Sequence, residues 1–388
     1  MQTVIGQKST HSATDANLHI SIEDLVVKYP DYKFPALKRL SGKVFKKEIL
    51  SHKYEWTERD LRPILSTVVN QVSQSAVSVT VLDAGVFNEH DVVENRRTGE
   101  RLRVTAVAGG VLLTVERGFQ STSALGSALI EGDTLVRVGV AAPEGAGSRP
   151  SITLGAEDFY NYTQTFTDTV FMSDSQYKGF VHGDETQTDA ISRIQQELME
   201  GLHLSLFTGR RYRNSAQKIS TMGGMKYFVD TYATDNIIDF GGLATWSTDT
   251  SVLGKFEDAV QSISDKMGNK PTIYATYSAL RKLRLVQDDT VRTTKSDKSR
   301  GIGVIDTYLS GMGELDIVQI VDRSGIMNNL VMFVDESNVG YKAKKGRGWF
   351  TEERPFDGDG HKLAVVGEYS MKVETPKASL AYINNLGL

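Results

Sequence analysis

The stretch RVTAVAGGVLLTVERGFQSTSA, Arg103 to Ala124, carries the strongest local signal in the sequence. Gly109 and Gly110 separate the alternating runs RVTAVA and VLLTVE. A phosphate-binding loop would need its glycines between a strand and a helix, whereas here a second strand-like run follows. Two residues between alternating runs are typical of a β-hairpin, because glycine adopts the required positive φ angles. The stretch therefore predicts a hairpin, with Arg117 at a surface or interface rather than in a catalytic site.

The same pattern of short strand-like runs and turn residues extends over residues 72–142. Val77, Val79 and Val81 alternate with polar neighbours, and RRTG separates DVVEN from RLRVTAV. The pattern ends at AAPEGAGSRP, residues 141–150, whose Pro, Gly and Ser content is typical of a linker. We therefore predict a small all-β domain that is inserted into a larger chain.

The longest helical pattern follows this domain and ends at Gly209, a residue that commonly terminates helices. It predicts a helix of about 22 residues, which is roughly 33 Å long. Its apolar positions recur every three or four residues: Ile191, Ile194, Leu198, Leu202 and Leu206.

A compact α/β region is predicted next. SVLGKFEDAVQSISDKM places Phe256, Val260, Ile263 and Met267 on one side of a helix that stops at Gly268. TIYA then indicates a buried strand, a second helical pattern follows it, and ELDIVQIVDRSG and NNLVMFVDESNVGYKA indicate further strands. Together with the β-rich insertion, this succession indicates an α+β fold.

Composition excludes several classes of protein. The 388 residues have a net charge of −4 and pI ≈ 6.0, which argues against a dedicated nucleic-acid binder. The absence of cysteine excludes disulfides, thiol catalysis and cysteine metal sites. The N-terminal residues do not resemble a signal peptide, and no apolar run approaches the ~20 residues that span a bilayer. We expect a soluble cytoplasmic protein.

Patterns that would indicate enzymatic chemistry are missing from the sequence. The seven histidines do not show metallopeptidase spacing, and there is no GxSxG motif. Gly301-Ile302-Gly303 lacks the third glycine of a dinucleotide site. The segment Asp357 to Glu368 resembles a calcium loop, but Lys362 stands where glycine is required. We therefore predict no enzyme, no catalytic, cofactor-binding or metal residues, and no cofactor.

Two basic stretches leave alternatives open. Lys38 to Lys47 is either a solvated face or an arm that lies on a neighbouring subunit or on nucleic acid. Thr208 to Asn214, TGRRYRN, either complements the dipole at the end of the long helix or contacts phosphate or an acidic partner.

The order of these parts resembles the major capsid protein of tailed bacteriophages, which has the Hong Kong-97-type fold. A family of phage major head proteins has similar segments: DLVVKYPDYKFPALKRLSGK, YEWTERDLRP, DFYNYTQTFTDTVFMS, STMGGMKYF and VGEYSMKVETPKASLAYINNL. The region from GVFNEHDVVEN to RVGVAAPEG looks like the β insertion that those proteins carry. These segments cover most of the chain.

The resemblance implies a phage capsid fold with an N-terminal arm, an E-loop, a peripheral (P) domain built on a long spine helix, and an axial (A) domain, plus an inserted small all-β domain. In that fold the arm and the E-loop reach neighbouring subunits. The lysine–asparagine cross-link of the fold's namesake is not carried over, because no pair here matches it. The expected boundaries are 1–50 for the arm, 51–71 and 143–179 for the E-loop region and P-domain strands, 72–142 for the inserted β-domain, 180–239 for the spine helix and P-domain, 240–345 for the A-domain, and 346–388 for the P-domain β return.

The implied function is that of a structural major capsid protein that self-assembles into hexamers and pentamers around a double-stranded DNA genome. The expected partners are copies of itself and a portal protein at one vertex, with scaffolding, protease and decoration proteins as further candidates. Contact with the packaged DNA would be weak and non-specific, and no membrane is involved. The expected location is the virion, after assembly in the host bacterial cytoplasm.

Other classes of protein remain as alternatives. A nanocompartment shell protein of the same fold would have a cargo-docking role and would lack a large β insertion. A cytoplasmic enzyme could use the inserted β-domain to cover a cleft. A tail-tube or decoration protein would be mainly β, which the long helix argues against.

Overall fold

The computed structural model describes residues 34–122, 128–152, 154–173, 187–241, 250–286, 291–294, 304–355, 358 and 360–386. The helices are α1 (Pro35–Leu40), α2 (Gln187–Thr208), α3 (Met225–Tyr232), α4 (Thr250–Met267), α5 (Tyr277–Val286) and α6 (Pro376–Ser379). The strands up to residue 173 are β1 (Lys53–Glu58), β2 (Leu65–Thr67), β3 (Ser78–Thr80), β4 (Asp91–Asn95), β5 (Arg101–Ala108), β6 (Leu112–Glu116), β7 (Thr134–Val140), β8 (Glu157–Tyr162) and β9 (Gln164–Ser173). The later strands are β10 (Tyr212–Asn214), β11 (Ile219–Thr221), β12 (Ile237–Asp239), β13 (Thr272–Thr276), β14 (Val291–Thr294), β15 (Val304–Ser310), β16 (Gly313–Ile320), β17 (Val331–Val334), β18 (Val339–Ala343), β19 (Phe350–Arg354), β20 (Gly360–Val373) and β21 (Leu380–Asn384).

The chain forms two compact units. The β unit is Thr57–Asp158, and the larger unit contains the described residues up to Trp56 and from Phe159 onward. Strands β1 and β8 pair with each other, and the chain passes through them from one unit to the other and back. The β unit contains the whole of the predicted segment 72–142 and extends beyond both of its ends.

The β unit is a closed barrel of six strands in the order β2-β7-β4-β5-β6-β3. An antiparallel bridge between Val68 and Val81 joins the two ends of this sheet, and the amide of Val69 donates to the carbonyl of Thr80 at 3.0 Å beside it. Closure removes the free strand edges along which sheets aggregate.

The predicted hairpin is confirmed. Strands β5 and β6 pair antiparallel, and the glycines between them have φ angles of 60° at Gly109 and 73° at Gly110. The connection has three residues rather than the predicted two, because Ala108 pairs with Leu112 and Val111 also lies in the turn. The positive φ angles of the first two positions are those that glycine adopts at low cost. Arg117 was predicted to lie at a surface or interface; the surface position is wrong, because its side chain is only 7% exposed and is paired with Glu100 of the same chain.

The predicted α/β region of the larger unit is confirmed as a sheet with the order β12-β21-β17-β13-β16-β15-β14. Its central strand β13 is parallel to β16 and antiparallel to β17. Helix α4 buries Phe256, Val260 and Ile263, as its periodicity predicts. Strand β21 lies between β12 and β17, so the last part of the chain completes this sheet.

A second sheet of the larger unit supports the long helix. Its strands follow the order β18-β20-β19, and β9 also pairs with β20. Helix α2 has the predicted 22 residues and packs Ile194 against Val170 and Val365 of this sheet. Leu202 and Leu206 of the same helical face are buried in the main core.

The end of α2 requires glycine at a close backbone approach. A Cβ at Gly209 would lie 2.4 Å from the carbonyl oxygen of Ser205, and one at Gly224 would lie 2.5 Å from the same oxygen. The amide of Gly224 donates to the carbonyl of Gly209 at 2.9 Å. Helix α2 therefore ends where the segment before α3 crosses it. A side chain at Gly209 or Gly224 would force these two backbone segments apart.

Candidate functional site

The described residues contain no group of three or more His, Cys, Asp or Glu side chains placed to hold a metal ion. Gly301-Ile302-Gly303, Asp357 and Asp359 lie outside the described residues, so the structure adds nothing on the loops they belong to. Within the described part of the chain, no helix has the length and apolarity needed to cross a membrane.

The segment before β1 is anchored to the body of its own unit by Glu336. Arg39 donates from Nε to Oε1 of Glu336 at 2.5 Å, and Lys43 donates to Oε2 at 3.1 Å. The hydroxyl of Tyr274 also donates to Glu336, at 2.6 Å. Burial works to raise the pKa of Glu336, but these hydrogen bonds outweigh it and the pKa is lowered. Two cations of the basic run 38–47 thus bind within their own chain.

A buried carboxylate ties β20 to the strands that lead to the β unit. Glu368 accepts from the hydroxyl of Thr163 at 2.6 Å and from Lys344 at 3.0 Å. Arg347 and His52 lie 2.8 Å and 3.3 Å from its oxygens. Burial alone would raise the pKa of Glu368, and the hydrogen bonds from Thr163 and Lys344 lower it instead. The lowered pKa favours the anionic form of Glu368, which holds four segments together.

Asn161 of β8 is fully buried and joins three backbone segments. Its Nδ2 donates to the carbonyls of Gly223 and Met371, both at 2.9 Å, and its Oδ1 accepts from the amide of Gly223 at 2.8 Å. The sequence pattern places Asn161 on one face with Phe159 and Thr163, and all three are buried. Asn161 thus acts as a structural cross-brace between β8, β20 and the turn before α3.

His203 is a buried side chain of α2 without polar partners. Neither ring nitrogen has a hydrogen-bond partner among the residues that the structure describes. The ring lies between Phe34 and Phe207, at centroid distances of 5.3 Å and 5.1 Å. Burial lowers the pKa of His203 to about 4, against the attraction of Asp322 and Glu200. The residue therefore stays neutral where the start of the described chain packs on the long helix.

A basic surface of the larger unit surrounds two tyrosines. The rings of Tyr160 and Tyr162 lie 5.5 Å apart. The guanidinium of Arg211 lies 3.8 Å above Tyr160, and that of Arg213 lies 5.7 Å from Tyr162. The ammonium group of Lys53 also lies near Tyr160, at 4.3 Å from the centroid of its ring. Hereafter the basic surface means these two tyrosines together with Lys53, Arg210, Arg211, Arg213 and Lys218.

The β unit is braced by buried carboxylates that are paired with arginine side chains. Glu100 binds Arg117 through two hydrogen bonds, of 2.6 Å and 2.7 Å. Asp133 is bound in the same bidentate way by Arg97, and Asp91 is paired with arginine side chains as well. Side-chain hydrogen bonding from Arg97 is the main cause that lowers the pKa of Asp133.

The sequence predicted no catalytic, cofactor or metal residue, and it identified the arginines beside Tyr160 only as a basic stretch. Glu368, Asn161 and Glu336 were missed, because their partners lie far away in sequence. For Asn161 the sequence offered one signal of burial, which is the alternation that places it on one face with Phe159 and Thr163.

Comparison with known proteins assigns the fold. The solved structure from Mycobacterium phage Bobi matches with a TM-score of 0.50 at 9% identity, covering 94% of each chain. A Microbacterium phage Oxtober96 structure matches at 11% identity, covering 84% of this chain and 95% of that one, with a TM-score of 0.42. The holo-SrpI encapsulin complex from Synechococcus elongatus PCC 7942 matches at 12% identity, covering 59% of this chain and 75% of that one, with a TM-score of 0.39. No curated protein matches significantly.

The family comparison covers nearly the whole sequence. The model of the SU10 major capsid protein matches residues 5–386. The α+β phage capsid fold of the Hong Kong-97 type is therefore confirmed, and the chain is a structural, non-enzymatic capsid protein of the virion. The enzyme alternative is thereby excluded. On this match the chain belongs to the SU10 major capsid protein family.

Proposed function

We propose that this capsid protein assembles into hexamers and pentamers, and that the resulting phage head encloses a double-stranded DNA genome. The observation that carries the proposal is the family match over residues 5–386. A shell of this kind needs large heterologous contacts between identical subunits that close into rings.

The parts of the structure suit such a role in the following way. Helix α2 serves as the spine of the P-domain, residues 240–345 supply the A-domain, residues 346–388 supply the P-domain β return, and residues 1–50 supply the arm. The β unit is the insertion carried by the E-loop region. It exposes large apolar side chains on adjacent strands, including Leu65 of β2 and Val138 and Val140 of β7. Exposed apolar groups in neighbouring positions support burial against another subunit.

Further partners follow from the same role. A portal protein would occupy one vertex, and scaffolding, protease and decoration proteins would act during or after assembly in the host bacterial cytoplasm. The packaged DNA would touch the shell only weakly and without sequence preference.

Negative-stain microscopy of the purified full-length protein tests this function. Closed shells or rings of six and five subunits are expected, and nuclease-protected double-stranded DNA is expected inside particles recovered from infected cells. A protein that stays monomeric at high concentration would refute the proposal. Shells that enclose a cargo protein and no DNA would support a nanocompartment instead.

A further inference from the structure

The basic surface lies in a part of the sequence with one sign of charge. Between Glu200 and Asp230 no acidic residue occurs, although the whole chain has a net charge of −4. This interval contains five cationic residues: Arg210, Arg211, Arg213, Lys218 and Lys226. The end of α2 and the β10–β11 hairpin therefore carry a local excess of positive charge.

The cations of this surface have different roles in the structure. Arg211 donates to the carbonyl of Tyr160 at 2.8 Å and to the hydroxyl of Tyr232 at 3.2 Å, so it has a structural role. Arg210, Arg213 and Lys218 are exposed, and none of them forms an ion pair with a carboxylate in the described part of the chain. Like charges on one surface repel each other, and the tyrosine faces offset only part of that repulsion. An anion from outside would offset the rest.

The side chains around these cations indicate which anion fits. A cleft of about 750 Å³ is lined by Thr208, Arg210 and Asn385, among others, and also by Asp230, which is paired with Lys226. A second cleft of about 580 Å³ is lined by Arg213, Lys218 and Ser215, among others. Cations combined with hydroxyl and amide groups are the set that contacts nucleic-acid phosphates.

We propose that the basic surface binds the phosphate backbone of the packaged double-stranded DNA. Arg210, Arg213 and Lys218 contact the phosphates, and Arg211 positions the tyrosines and the hairpin beneath them. The assignment rests on the proposed function, since it requires DNA inside the shell. With few contacts per subunit the binding is weak and salt-sensitive, which suits DNA that must enter and leave the head.

The test measures the binding of a fluorescent duplex of about 30 base pairs to unassembled full-length protein between roughly 50 and 200 mM salt. The variant Arg210→Gln/Arg213→Gln/Lys218→Gln is expected to bind at least about tenfold more weakly at low salt. Loss of three phosphate contacts lowers the slope of log K against log salt by about 2.7. The matched control, Lys270→Gln/Arg281→Gln/Lys345→Gln, removes the same charge from scattered exposed positions and is expected to bind like the wild type.

A second variant distinguishes the loss of positive charge from a defect in folding. Arg210→Lys/Arg213→Lys keeps the charge and is expected to keep the salt slope, because phosphate binding depends on the number of cations. Equal loss in the triple variant and its control would overturn the assignment. So would a triple variant that binds DNA normally but no longer assembles, since the surface would then contact a neighbouring subunit. Failure of the wild type to form shells would refute the proposed function, whatever the DNA result.

Discussion

The two compact units are stabilised by different kinds of buried side chain. In the larger unit, aromatic rings form a continuous network in which Phe228 lies 6.1 Å from Trp56 and 6.0 Å from Tyr232. The described core of the β unit consists of Val, Leu and Ala side chains with one aromatic ring, that of Phe87. The β unit adds buried carboxylates that are paired with arginine, and the pair of Arg117 with Glu100 is the most enclosed of these pairs.

The difference follows from what each core can bury. Aromatic side chains bury a large area each and favour specific ring geometries, so they define a unique packing of helices on sheets. A small barrel of short strands has little apolar volume, and its loops must be fixed in another way. Arginine forks bind carboxylates bidentately and span from loop to strand. Such pairs add little net stability over an apolar core but are costly to break.

The largest expected effect is in the aromatic core. Phe228→Ala removes a ring that is fully buried and leaves a cavity beside Trp56 and Tyr232. The free energy of unfolding of the larger unit should fall by about 4 kcal/mol. Hydrogen exchange followed by mass spectrometry reports the two units separately, and the β unit should keep its protection.

The control for this change is Tyr277→Ala, which truncates an aromatic side chain that is 66% exposed and should cost under about 0.5 kcal/mol. Equal destabilisation of both units by Phe228→Ala would show that they unfold together and that the comparison of separate cores is wrong.

The next effect is in the β unit. Arg117→Ala leaves the carboxylate of Glu100 buried and unpaired, which should cost about 3 to 4 kcal/mol. The loss of exchange protection should be confined to Thr57–Asp158. Arg117 also donates to the carbonyl of Ser73 at 3.0 Å, so the loop before β3 should lose protection first.

The matched variant Arg117→Met/Glu100→Leu removes both charges and fills similar volume. It should restore most of the stability lost in Arg117→Ala, because no buried charge is left unpaired. A double variant as unstable as the single one would mean that the pair itself, rather than the cost of an unpaired charge, stabilises the barrel.

Local chemistry explains why parts of both units could be predicted from the sequence. Two glycines between alternating runs define the β5–β6 hairpin, and the apolar period of α2 gives its length and its buried face. These signals involve residues a few positions apart, for which backbone geometry alone is decisive. The boundaries of the β unit were harder to place, because barrel closure depends on the bridge from Val68 to Val81.

The missed residues depend on contacts between distant segments. Asn161 binds Gly223 and Met371, which are 62 and 210 positions away. The burial of Arg117 depends on a partner 17 positions earlier and on the closed barrel around it. No local sequence pattern indicates such pairings. The sequence therefore cannot distinguish an arginine whose side chain is enclosed, such as Arg117, from an arginine on the surface.

His203 of the larger unit differs from the buried carboxylates of the β unit. Each of those carboxylates is paired with arginine, whereas the buried ring of His203 has no hydrogen-bond partner in the described part of the chain. Its pKa is about 4 in the folded protein and near 6.5 in the unfolded chain. As the pH falls below 6.5 the unfolded chain takes up a proton that the folded protein does not. Unfolding should therefore become easier by roughly 3 kcal/mol between pH 6.5 and pH 4.

The variant His203→Leu lacks this titration, so its stability should fall less steeply over the same pH window. Chemical denaturation at pH 7, 5.5 and 4 measures the difference. Glu200 and Asp322 interact electrostatically with His203, and Arg323 binds Glu200; these three residues are the same in both proteins. Parallel pH profiles would show that His203 is not the group responsible.

The smallest expected effect concerns an arginine pair that is partly exposed, in contrast to the enclosed Arg117–Glu100 pair of the β unit. The side chain of Arg39 is 37% exposed, so Arg39→Ala should cost only about 1 kcal/mol. Glu336 keeps Lys43 and the hydroxyl of Tyr274 as partners, and solvent reaches the site. The segment 34–50 should nevertheless be cut faster in limited proteolysis, because a main attachment of α1 is lost.

The control is Lys38→Ala, on the exposed side of the same helix, which should leave the cleavage rate unchanged. A loss as large as that in Arg117→Ala would mean that burial does not explain why the two units depend differently on their arginines.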